Sequence, residues 1–179
     1  DPGFTSPEID NTVLVPDNTF TPTTALPDEN YSWKVVARNA IGDNHSDKWT
    51  FIVDTTPPAA PTLVWPKNGE NINDNTPNLD WSAVSDISLP VTYDVWVDND
   101  NDFSSPIPPA TRITDDNYQV TTELAEGVYY WRVRAIDNFG YVGENSQRSF
   151  RVDITAPTSP TLLEPGNGTE TSNNKPTFR

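Results

Sequence analysis

The chain has 179 residues, 34% of them hydrophobic, with six Trp, no Cys, no Met and a formal charge of −15 from 11 Lys and Arg against 26 Asp and Glu. That acidity opposes binding to nucleic acid or to an anionic membrane, and a chain without Cys makes no disulfide, zinc–thiolate or thiol chemistry. No apolar run approaches the roughly 20 residues of a membrane-spanning helix, so no membrane insertion is expected in this segment.

The apolar content suffices for an ordinary core. Gly, Pro, Asn and Asp punctuate the chain about every eight to twelve residues, short alternating stretches lie between them, and no segment keeps a helical period; this is the pattern of an all-β sandwich. In chain order, "YSWKVVA" alternates Tyr31, Trp33, Val35 and Ala37. The only His, His45, follows in the turn "GDNHSD" with no nucleophile partner. "VDTTPPAAPTLVWPKNG" runs from Val53 to Gly69, and its several Pro residues, with fixed φ and no N–H, favour a stiff, extended connection. "PNLDW" alternates Pro77, Leu79 and Trp81. "VTYDVWVD" sets Val91, Tyr93, Val95 and Val97 on one face and Thr92, Asp94 and Trp96 on the other. "YYWRVRA" turns Tyr129, Trp131, Val133 and Ala135 inward and Tyr130, Arg132 and Arg134 outward, and "RSFRV" alternates Phe150 and Val152.

The stretch from Val53 to Gly69 returns as "VDITAPTSPTLLEPGNG" from Val152 to Gly168, an offset of 99 residues. Tyr31, Trp33, Val35 and Ala37 match Tyr129, Trp131, Val133 and Ala135 at an offset of 98, and "GFTSP" from Gly3 matches "DFSSP" from Asp102. The period is that of one small sandwich. By phase, residues 54–153 are one complete module, 1–53 the C-terminal half of a preceding one, and 154–179 the N-terminal strands of a following one. A chain that opens on Asp1 and carries two severed modules reads as a window on a longer array.

"LPDENYSWKVVARNAIG" from Leu26 resembles the fibronectin type III signature, and the Trp-rich strands with "VDTTPP" and "DFSSP" are similar to the fibronectin-like and bacterial immunoglobulin-like tandem repeats of large surface proteins. The resemblance implies immunoglobulin-like Greek-key sandwich modules, with Tyr31 and Tyr129 as the tyrosine corners whose hydroxyls bond backbone upstream. It implies fold and tandem habit and says little of activity.

Two surface features carry candidate chemistry. In "DNDND", Asp98, Asp100 and Asp102 alternate in a way that could converge oxygens on calcium, the one cofactor the sequence suggests. It is not an EF-hand, because Phe103 and Pro109 stand where such a loop needs Gly and Glu, and a solvated acidic turn is the competing reading. Trp96, with Tyr130, Arg132 and Arg134 on the paired strand, could offer a stacking surface to a glycan or a neighbouring chain; alternatively the Arg side chains cover the indole as cross-strand cation–π pairs. No catalytic constellation is present, and the sequons at Asn30, Asn44 and Asn167 are as many as composition alone supplies. The sequence therefore predicts a non-catalytic structural module of a long extracellular or cell-surface protein, a filament, surface-layer or adhesin stalk. The complementary severed halves predict head-to-tail association of copies. The alternative is a carbohydrate- or partner-binding module of a secreted protein.

Overall fold

A computed structural model describes residues 18–179; the "GFTSP" match at Gly3 lies outside them. Residues with alternating apolar side chains first build β1 (Glu29–Trp33), β2 (Val36–Arg38), β3 (Asp43–His45) and β4 (Trp49–Val53), an interrupted hairpin in which β1 pairs with β4 and β2 with β3. Eight strands follow: β5 (Leu63–Trp65), β6 (Glu70–Ile72), β7 (Asn78–Trp81), β8 (Thr92–Asp98), β9 (Ile107–Ile113), β10 (Asn117–Gln119), β11 (Gly127–Ile136) and β12 (Ser146–Val152). They form one sheet in the order β10-β7-β5 and another in the order β6-β12-β11-β8-β9, with β6 parallel to β12. The chain crosses repeatedly between the sheets. No helix occurs among the described residues.

The alternation of the sequence becomes the core between these sheets. Trp81, Trp131, Tyr93, Val95, Val133, Phe150 and Val152, all expected inside, are buried, and Trp81 meets Tyr93 edge to face with centroids 5.4 Å apart. Every residue of the core cluster lies between Leu63 and Val152. Burial of this apolar area is the main stabilising term.

Two local features differ from simple alternation. Asp94, on the face expected outside, is 5% exposed, because β8 is central and its flanks are occupied by β9 and β11. Its carboxylate accepts from the backbone N–H of Arg112 at 3.0 Å and from the Arg134 guanidinium at 2.9 Å, so the buried charge is paired. The other is β9, which contains Pro108 and Pro109. Pro lacks a ladder donor and is tolerated on an edge, and β9 is the edge strand, with irregular register against β8.

The segments that match in sequence also share a strand register. In the first hairpin Glu29 opposes Val53 and Tyr31 opposes Phe51; in the sandwich Gly127 opposes Val152 and Tyr129 opposes Phe150, the same register at the sequence offsets of 98 and 99. The Tyr31–Phe51 rings stack at 5.4 Å and the Tyr129–Phe150 rings at 5.9 Å. The turns after Pro66 and Pro165 match as well: Glu70 donates to the Lys67 carbonyl and Thr169 to that of Gly166, with Gly69 and Gly168 both at φ +75°, a value Gly adopts without a Cβ clash. What differs is cover. Trp33 is 47% and Phe51 41% exposed, whereas their counterparts Trp131 and Phe150 are 0% and 1%.

Candidate metal centre at the junction

Residues 54–62 connect the first hairpin to β5, and both ends of this junction are held. On the hairpin side, Asp28 accepts from the Thr55 N–H at 3.0 Å, from the Thr55 hydroxyl at 2.9 Å and from the Thr56 hydroxyl at 3.0 Å. On the sandwich side, Pro58 and Pro61 are buried, and the Pro58 carbonyl sits so close to Gly143 that a Cβ there would run into it. These contacts hold the segment at both of its ends. One period later Glu126 repeats the clamp, accepting from the Ile154 N–H at 3.0 Å. The Thr155 hydroxyl is the main cause that holds the Glu126 carboxyl below its ordinary range, against an opposing effect of burial; the Ile154 and Thr155 N–H groups and Arg151 add to the lowering.

Beside the clamp, three carboxylates converge. Asp54 opens the junction, Asp86 lies in the loop between β7 and β8, and Asp137 follows β11; one oxygen of each lies within 4.8 Å of the others. Each carboxylate spends its Oδ1 on its own turn. Asp54 Oδ1 accepts from the Thr56 N–H (3.1 Å), Asp86 Oδ1 from the Ser88 N–H (2.9 Å), and Asp137 Oδ1 from those of Gly140 (2.6 Å) and Tyr141 (2.8 Å). The Asn138 N–H reaches the Ser88 carbonyl at 3.5 Å and joins the two loops. Asp54 is 7% and Asp137 2% exposed, yet the Oδ2 atoms of both have no hydrogen-bond partner. The Ser88 hydroxyl donates to Asp86 Oδ1 at 3.2 Å. Carboxylates this close repel one another when ionised, and a positive charge among them relieves that repulsion. With oxygen as the only donor element, the set suits a hard cation.

The sequence offered faint signals for this site. Asp54 recurs as Asp153 in the repeat, but Asp54, Asp86 and Asp137 are far apart along the chain and only the fold joins them.

The acidic stretch that sequence spacing favoured is arranged differently. Asp98 is 1% exposed, with Oδ1 accepting from the Asp100 N–H at 3.1 Å and Oδ2 from the Ser105 N–H at 3.0 Å, while Asp102 accepts from the Ser104 N–H at 2.8 Å. Asp98, Asp100 and Asp102 do not converge as a cation-holding group; among the described residues Asp54, Asp86 and Asp137 do. The reason is that Asp98 and Asp102 direct their carboxylates to separate backbone donors. Trp96 is half-buried, and the guanidiniums of Arg132 and Arg134 each lie 4.8 Å from its ring centroid; Arg132 also lies 4.3 Å from that of Phe103. Tyr130 opposes Asp98 on the neighbouring strand. The Tyr31 hydroxyl donates to the Pro27 carbonyl, four residues upstream, at 3.0 Å, and Tyr129 packs on Phe150.

Solved structures that resemble this one share little sequence with it. Domains d3–d4 of the rat CD45 extracellular region superpose with a TM-score of 0.51 at 14% identity, over 83% of this chain and 77% of that one. The fold is fibronectin type III-like. The FN1–FN3 domains of chicken CNTN1 match with a TM-score of 0.44 at 19% identity, over 75% of this chain and 47% of theirs. An Fn3-like protein from Clostridium thermocellum gives 0.36 at 24% identity, over 58% and 97%. No protein-family model and no curated protein matches the chain.

Proposed function

We propose that this chain is a stretch of a tandem array of fibronectin type III-like modules that acts as a non-catalytic structural spacer in an extracellular or cell-surface protein. In this reading residues 54–153 are one whole module, 1–53 end the module before it and 154–179 begin the one after. The observation that carries the reading is the repeated junction clamp: Asp28 binds Thr55 and Thr56, and Glu126, one period later, binds Ile154. A module that only binds a ligand has no need to fix its successor at a set position. In an array, the exposed faces of Trp33 and Phe51 are covered by the front strands of their own module; the corresponding strands of a second copy offer the same cover, which gives head-to-tail association.

Single-molecule pulling on the parent protein tests this. A tandem array gives a series of equal unfolding steps, each lengthening the chain by about 30 nm for a period near 99 residues. A single such step, together with specific retention on a glycan array, supports the binding-module alternative and rejects the spacer.

A further inference from the structure

We infer that Asp54, Asp86 and Asp137 form a calcium site that ties the junction to the two loops at this end of the sandwich. The proposal concerns side chains within one sandwich and its lead-in, and does not rest on the array reading.

Three observations carry it. The carboxylates come from three separate segments and bring one oxygen each within 4.8 Å of the others. The Oδ2 atoms of Asp54 and Asp137 are buried and unpartnered, although buried polar atoms are nearly always satisfied and each unsatisfied one needs a cause. The third observation comes from the repeat. At the phase of Asp137 the preceding hairpin carries Asn39, whose Oδ1 accepts from the Ile41 N–H at 2.8 Å and the Gly42 N–H at 3.1 Å. That turn is one residue shorter, its Asn39 N–H bonding the Gly42 carbonyl where the Asp137 N–H bonds that of Tyr141, but in both a single side-chain oxygen takes the two backbone donors. The second oxygen of Asp137 takes no part in the turn, and a buried carboxylate oxygen without a local donor favours a cation as its partner.

The chemistry selects calcium. The three side chains offer no imidazole or thiolate, which disfavours zinc and the later transition metals. Magnesium prefers one or two carboxylates and retains its water, whereas calcium takes about six to eight oxygens in flexible geometry, so three carboxylates completed by water suit it. Once bound, the ion couples Asp54 to the loops of Asp86 and Asp137. Asp54 immediately precedes Thr55, which Asp28 holds, so occupancy stiffens the junction.

The test uses the full chain stripped of metal with chelator and titrated with calcium chloride by calorimetry, alongside thermal melting. The wild-type chain is expected to bind one calcium with a Kd of about 1 mM or tighter, and to melt higher in excess calcium. Asp86→Asn and Asp137→Asn keep an acceptor for their turns, so each folds, weakens calcium at least about tenfold and melts no lower than wild type in chelator, because like charges have been removed. Asp100→Asn, in the acidic turn that does not converge, retains the full calcium response. The site is overturned by the absence of calcium binding up to 10-fold above that Kd, by a response that survives in both Asn variants, or by magnesium producing an equal shift.

Discussion

Trp131 and Trp33 occupy the same phase of the repeat, and replacing each by Ala separates burial from sequence. Trp131 is fully buried; a Trp buries about 150–250 Å², worth about 4–6 kcal/mol at about 25 cal/mol per Å² as an upper bound. Large-to-small substitutions in cores place the loss for Trp131→Ala at about 3–5 kcal/mol, cavity included. Trp33 is 47% exposed and its ring contact is with Trp49, edge-on at 5.7 Å, inside the first hairpin. No closed cavity forms when it is truncated, and none of its lost contact belongs to the sandwich core. Urea unfolding followed by far-UV circular dichroism reads the difference. With a slope of about 1–3 kcal/mol per molar, Trp131→Ala lowers the sandwich midpoint by at least about 1 M, while Trp33→Ala moves it by a few tenths. Should Trp131→Ala fail to fold, Trp131→Phe must show a smaller loss of the same sign. Equal shifts for the two positions would refute the division into a closed sandwich and an open hairpin.

Gly143→Ala drives a methyl into the Pro58 carbonyl and is expected to cost about 1–3 kcal/mol, read as a lowered melting temperature. Arg134→Leu leaves the buried Asp94 carboxylate with the Arg112 N–H alone and is expected to cost about 1–3 kcal/mol; Asp94→Asn in the same background restores part of that loss. Because the Glu126 carboxyl is held below its ordinary 4.5, its contribution is present above that pH and is lost as pH falls through the lowered folded value. Acid melts of wild type and Glu126→Gln should therefore differ at neutral pH and converge well below pH 4.5; curves that stay parallel would contradict the clamp.

Much of the sandwich was legible because its signals are local. Period-two alternation in "VTYDVWVD" and "YYWRVRA" located β8 and β11, and repetition at 98 and 99 residues anticipated the shared hairpin register. The strand β9 was not legible, since Pro108 and Pro109 argue against a strand unless its edge position is known. The carboxylate cluster was hidden for a different reason. Spacing along the chain pointed to Asp98, Asp100 and Asp102, whose backbone donors are close in sequence, whereas Asp54, Asp86 and Asp137 meet only after both sheets have formed. Local patterns report on strands and turns; convergence of distant side chains is a property of topology.

A junction held at both ends fixes the first hairpin against the sandwich, and residual dipolar couplings of the backbone amides test this. Couplings from Glu29–Val53 and from Leu63–Val152 should fit one alignment tensor in the wild-type chain, and should require two in Asp28→Ala, which removes the acceptor for Thr55 and Thr56. Two independent tensors in the wild-type chain would show that the junction is not fixed.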